Sequence, residues 1–124
     1  MKQALVVDDS RAIRMILSRT LKDLGYDVAE AANGMEALQT IGAEPNGLEL
    51  VLADWNMPEL NGLELVKRLR RNPAMRDLVI LMVTTETEIE HMTAALEAGA
   101  NEYIMKPFTQ DILRDKLRMT GLAV

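Results

Sequence analysis

Ala4-Leu5-Val6-Val7-Asp8-Asp9-Ser10 is an unbroken apolar run that ends in two acids and a hydroxyl. A strand with one wet face alternates apolar and polar residues, whereas an unbroken run marks a strand covered on both faces. Val79 to Val83 repeats the pattern. Three further runs read as strands, Tyr26 to Ala31, Leu50 to Ala53 and Glu102 to Met105, and the fourth strand extends to Thr84. Helical spacing fills the intervals. The first helix carries Ile13, Ile16, Leu17, Leu21 and Leu24 and stops at Gly25, and the second runs from Gly34 to Ile41 and ends at Gly42. The third carries Leu65, Val66 and Leu69 before Asn72-Pro73 breaks it. The fourth opens on the capping-box pattern Thr87-x-x-Glu90, puts Ile89, Met92, Ala95 and Leu96 on one face, and stops at Gly99. The fifth follows Pro107 and buries Ile112, Leu113 and Leu117. Strand and helix alternate five times, so the expected class is α/β: one doubly wound (βα)5 domain with a parallel five-stranded sheet in order 2-1-3-4-5. Ligands of such sheets bind at the carboxyl ends of the strands, where the winding reverses between the first and third.

The 124 residues have room for one domain, expected to span 1–124 with no output domain. Apolar residues make up 48% and charged residues 27%, the balance of a globular chain rather than a disordered one. A net charge of -5, no basic run and few aromatic residues argue against direct nucleic-acid binding. The absence of cysteine removes thiolate metal sites and thiol nucleophiles and suits a reducing compartment. The first apolar run is too short for a signal peptide or a membrane span, so a cytoplasmic location is expected.

Asp8 and Asp9 end the first strand and Asp54 ends the third, so the fold should bring the three acids into one crevice. Two carboxylates about 4 Å apart repel by about 4 kcal/mol at an effective dielectric near 20. Three of them therefore call for protonation or a cation. Oxygen ligands with no His or Cys nearby favour Mg²⁺. Each acid alone has a plainer reading: Asp8, Asp9 or Ser10 caps the first helix, and Asp54 starts a turn. Their joint placement outweighs it. Thr84 and Lys106 end the fourth and fifth strands, and a hydroxyl and an ammonium beside a carboxylate cluster can each bind a phosphoryl oxygen. A flavin or nucleotide binder would instead feed its first strand into a phosphate cradle, and Asp8-Asp9 would repel phosphate. An aspartyl-phosphate phosphatase would want a second acid two residues after Asp54, where Asn56 stands.

Val6-Val7-Asp8-Asp9-Ser10, Asp54-Trp55-Asn56-Met57-Pro58 with Asn61-Gly62, Val83-Thr84, Gly99-Ala100 and Lys106-Pro107-Phe108 together resemble the receiver domain of two-component response regulators, over essentially the whole chain. With Tyr103, they are most similar to the stand-alone chemotaxis regulators of that family. The resemblance implies a flavodoxin-like fold and a phosphorylation-activated switch rather than an enzyme acting on other molecules. It implies transfer from a histidine kinase to Asp54, with Mg²⁺ on Asp8 or Asp9, Asp54 and the backbone carbonyl of Asn56. Thr84 and Lys106 would follow the new phosphoryl group, Tyr103 would turn inward, and Lys106-Pro107 would be cis. Asn56 and Glu86 would tune water access and so dephosphorylation. Output would pass through helix 4, strand 5 and helix 5 to a protein target such as the flagellar motor switch, with a phosphatase as a further partner, in a monomer or weak dimer. A stand-alone receiver in a phosphorelay remains the alternative. Thr85 departs from the family's small residue after the switch threonine, and Glu86, Glu88 and Glu90 make the start of the fourth helix acidic. His91, the single histidine, is expected on the polar surface, and Met92 and Met119 are candidates for exposed contacts.

Overall fold

The computed structural model describes residues 2–43, 47–85 and 89–122. Along the chain come β1 (Gln3–Val7), α1 (Arg11–Asp23), β2 (Asp27–Ala31), α2 (Gly34–Ala43), β3 (Leu48–Asp54) and α3 (Gly62–Arg71). A 3-10 turn at Pro73–Met75 leads to β4 (Val79–Thr85), α4 (Ile89–Ala98), β5 (Glu102–Lys106) and α5 (Gln110–Met119). The strands form one sheet in the order β2-β1-β3-β4-β5, every neighbouring pair parallel, as the alternating pattern requires. The capping-box residue Thr87 lies outside the described residues, as do Glu86 and Glu88.

The unbroken apolar runs resolve into two sets, because successive side chains of a strand point to opposite faces. Leu5, Val7, Val51, Ala53, Ile80 and Met82 pack under Ala37 and Ile41 of α2, Leu65, Val66 and Leu69 of α3, and Ala95 of α4. Ala4, Val6, Leu50, Leu52, Leu81 and Val83 face the other way, against Leu17 and Leu21 of α1 and Leu113 and Leu117 of α5. The central strands β1, β3 and β4 are dry on both faces, as expected from sequence.

Side-chain caps start four of the helices, α2 among them, where Asn33 accepts from the Glu36 amide at 2.8 Å. Ser10 accepts from the Ile13 amide at 3.3 Å, Asn61 from Glu64 at 2.9 Å and Thr109 from Ile112 at 3.2 Å. Gly25 ends the α1 region with φ +99°, a conformation that favours glycine. Gly62 is required for a different reason: a Cβ there would press on the Asp54 carbonyl and on Met82. The start of α3 therefore lies directly against the end of β3.

Several expected helix faces need correction. Ile16, Leu96 and Ile112 are exposed, although each is apolar and near the buried stripe. Each is the immediate neighbour of a buried residue, Leu17, Ala95 and Leu113, and one residue rotates the side chain about 100° around the helix, out of the core. Met92 is buried, because it lies one turn before Ala95 on the stripe that α4 turns inward, whereas Met119 is exposed as expected. Helix α2 runs one residue past Gly42, to Ala43. Glycine alone lowers helix propensity without forbidding it.

Candidate functional site

Asp8 follows β1, Asp54 closes β3, Thr84 lies near the end of β4 and Lys106 ends β5. Parallel pairing with Asp54 beside Val83, and Thr84 beside Met105, sets these strand ends along one rim of the sheet. The acids meet as the sequence predicts: carboxylate oxygens of Asp8, Asp9 and Asp54 lie within 4.8 Å of one another. Asp8 is only 1% exposed, Asp54 is half-buried and Asp9 is exposed.

Helix capping falls to Ser10, which leaves the carboxylates for the crevice. Asp8 Oδ1 accepts from the Ser10 amide at 2.9 Å, and the Asp8 amide donates to the Ala31 carbonyl at 3.1 Å. Arg14 then donates to the Asp8 carbonyl at 2.7 Å while its Nε reaches Glu30 at 3.3 Å, so the loop after β1 is tied to both α1 and β2. This tie is not legible in sequence, because a helical arginine is ordinarily a solvated charge.

Lys106 crosses the crevice. Its Nζ lies 3.3 Å from Asp8 Oδ2 and 3.5 Å from Asp54 Oδ1. The Lys106-Pro107 bond is cis, as the resemblance implied. One ammonium faces three carboxylates, so the cluster keeps an excess of negative charge when all are ionised. Burial foremost holds the Asp54 carboxyl above its usual range; Lys106 pulls it down, and Asp8 and then Asp9 push it up. The donor set is all oxygen, convergent and partly dehydrated, and it carries uncompensated charge. It fits a hard divalent cation such as Mg²⁺.

Thr84 is buried and Asn56 exposed. Glu86 lies outside the described residues. Tyr103 is half-buried on β5 and packs against the core on the α3–α4 side, with Lys116 Nζ 4.6 Å from its ring centroid. Lys116 also meets Glu102 at 3.4 Å.

His91 is half-buried on α4 rather than fully exposed. Its ring is stacked on Trp55, with 4.1 Å between centroids and 6° between planes. A lone histidine on a helix carries no mark of its partner, so sequence could not reveal the pair. Trp55 itself is buried beside Asp54, where the sequence put it.

The family model described as the response regulator receiver domain matches residues 4–118. The chain is 46% identical to the Helicobacter pylori chemotaxis protein CheY1 over 116 residues, 93% of each chain. It is 47% identical to a Campylobacter jejuni CheY homolog, covering 91% of this chain and 87% of that one. The solved structure of Vibrio cholerae CheY4 superposes with a TM-score of 0.87 at 38% identity, covering 97% of this chain and 98% of the other. No helix among the described residues is long and apolar enough to cross a membrane.

Proposed function

The chain belongs to the response regulator receiver family, as a homologue of the CheY chemotaxis regulators, and from that premise we propose that Asp54 is its phosphoacceptor. The observation that carries the proposal is the Lys106 ammonium between the Asp8 and Asp54 carboxylates, at 3.3 and 3.5 Å. A carboxylate must attack an anionic phosphorus, and that approach is repelled unless positive charge is already in place.

In the reaction, an Asp54 oxygen bonds to phosphorus as the bond to the donor imidazole breaks, and the imidazole leaves with its electron pair. Lys106 holds negative charge on the phosphoryl oxygens, and the Thr84 hydroxyl donates to another of them. Asp8, Asp9, Asp54 and the Asn56 carbonyl would hold Mg²⁺, which when bound offsets charge on the phosphoryl group. Catalysis is thus positioning and charge balance, and the protein is a switch that assists its own modification rather than an enzyme with outside substrates. Asn56 and Glu86 tune the approach of water to the acyl phosphate. Tyr103 turns inward as Thr84 moves, a two-state element biased by local charge. A histidine kinase supplies the phosphoryl group and a phosphatase assists its removal. Output passes through α4, β5 and α5 to a protein target, the flagellar motor switch in a chemotaxis pathway, and the switch acts in the cytoplasm.

Incubation with acetyl phosphate and Mg²⁺, read by mass spectrometry of the intact protein, tests the reading. We expect one phosphoryl adduct on the wild type, none on Asp54→Asn and none after chelation of the metal. An adduct that persists on Asp54→Asn overturns the assignment.

A further inference from the structure

Helix α4 is held at its two ends by contacts of different kinds. At the carboxyl end, the Gly99 carbonyl accepts from Arg70 Nε at 2.9 Å, and the same guanidinium donates to Met75 O at 2.9 Å and Asn101 Oδ1 at 2.7 Å. Asn101 is in turn fixed to β4: its amide donates to Ile80 O at 2.9 Å, and its side-chain oxygen accepts from Ile80 N at 2.8 Å. A Cβ on Gly99 would lie 2.7 Å from Arg70 Cγ, so the arginine stem rests on the chain. Moving this end breaks several directional hydrogen bonds together.

At the amino end, the first turn carries His91, and its ring lies flat on Trp55. A stack of flat rings resists separation but permits sliding in the plane of the rings, because offset-stacked arrangements over a range of centroid distances are all favourable. The backbone of Trp55 is bound on both sides. Its amide donates to Val83 O at 3.3 Å, one residue before Thr84, and its carbonyl accepts from Gly62 N at 3.1 Å. A displacement at Asp54 therefore reaches Trp55 across one peptide bond, and one at Thr84 reaches it through the Val83 carbonyl and its hydrogen bond to the Trp55 amide; the indole in turn touches α4.

We propose that the Trp55–His91 stack transmits phosphorylation of Asp54 to the first turn of α4, which swings about the Arg70–Gly99 anchor as a fixed pivot. His91 is a positioning residue: it touches no reacting atom and acts through Trp55. The inference rests on the phosphoacceptor reading above and adds to it the route by which the site's state reaches α4.

Hydrogen exchange on the full chain, with and without Mg²⁺ and beryllofluoride, tests it, with acetyl-phosphate labelling run in parallel. In the wild type, exchange in the first turn of α4 should change by about threefold or more on loading, while the Gly99–Asn101 end stays constant. His91→Ala should be labelled within about twofold of the wild-type rate, since it leaves the charge of the site untouched, yet its first turn should no longer respond. His91→Phe restores a flat ring and should restore the response, and emission from Trp55, the only tryptophan, should follow the same order. A full response in His91→Ala, no rescue by His91→Phe, or equal change at both ends of α4 overturns the proposal. If His91→Ala fails to fold, the wild-type asymmetry and the Phe variant decide. A wild type that takes no label sinks the phosphoacceptor reading, and this inference with it; labelling without asymmetry sinks the inference alone.

Discussion

Two polar clusters sit at opposite ends of the same sheet, and they are built on opposite principles. At the amino end of β4, each nitrogen of the Arg70 guanidinium donates to an oxygen, and Asn101 links it to the Ile80 backbone. At the carboxyl end, one ammonium faces three carboxylates, and Asp54 is held above its usual range by burial. A satisfied cluster stabilises the fold, while a cluster left short of positive charge can bind and react. The surrounding packing on both faces of the sheet allows the second kind to persist.

Breaking the satisfied cluster should have the largest effect on stability. Arg70→Ala leaves the Gly99 and Met75 carbonyls without their donor, and we expect a loss of about 2–3 kcal/mol in urea unfolding. Phosphorylation of the folded variant should remain. Breaking the acidic cluster should reverse the pattern. Lys106→Ala should slow labelling of Asp54 by acetyl phosphate about tenfold, less than the hundredfold or more for a donor shut away from water, because this amine is partly exposed.

Asp54→Asn sharpens the comparison through stability. With its folded pKa raised, the ionised carboxylate is disfavoured by the fold; that penalty is present above the folded pKa and disappears as pH falls through it. Near neutral pH and without metal, the variant should therefore melt a few degrees higher, about 2–5 °C, than the wild type. The gap should close in acid as Asp54 is protonated. Mg²⁺ should raise the melting temperature of the wild type more than that of the variant, and equal shifts would show that Asp54 does not help hold the ion. The smallest effect belongs to a polar group outside both clusters. The Tyr26 hydroxyl is buried with no hydrogen-bond partner among the described residues, and burial, then Glu49, pushes its pKa up to about 12. Tyr26→Phe should be neutral or stabilise by up to about 1 kcal/mol in the same unfolding assay.

The acidic cluster was legible in the chain and the satisfied one was not. Asp8, Asp54, Thr84 and Lys106 each end an apolar run, and a parallel sheet places the ends of its strands along one rim. Arg70 follows the apolar stripe of α3 and has the look of a solvated charge; its partners Gly99 and Asn101 lie 29 and 31 residues away. The same limit hid His91. Its spacing on α4 showed which way the ring leaves the helix only to within a turn, and the Trp55 indole that meets it comes from another element. Ile16 and Ile112 failed for a related reason, since hydrophobicity marks what can be buried, and only the packing of α1 and α5 selects which residues are.

By itself the sequence determined the period of each segment, the alternation of strands with helices, the parallel order and therefore the rim on which the acids gather. These follow from local sterics and from burial of apolar runs, both written in neighbouring residues. Tertiary structure alone decided which side chains touch across that frame: Lys106 between Asp8 and Asp54, His91 on Trp55, Arg70 under Gly99. Such contacts depend on distances between elements far apart along the chain, set by the packing of the whole core rather than by any one segment.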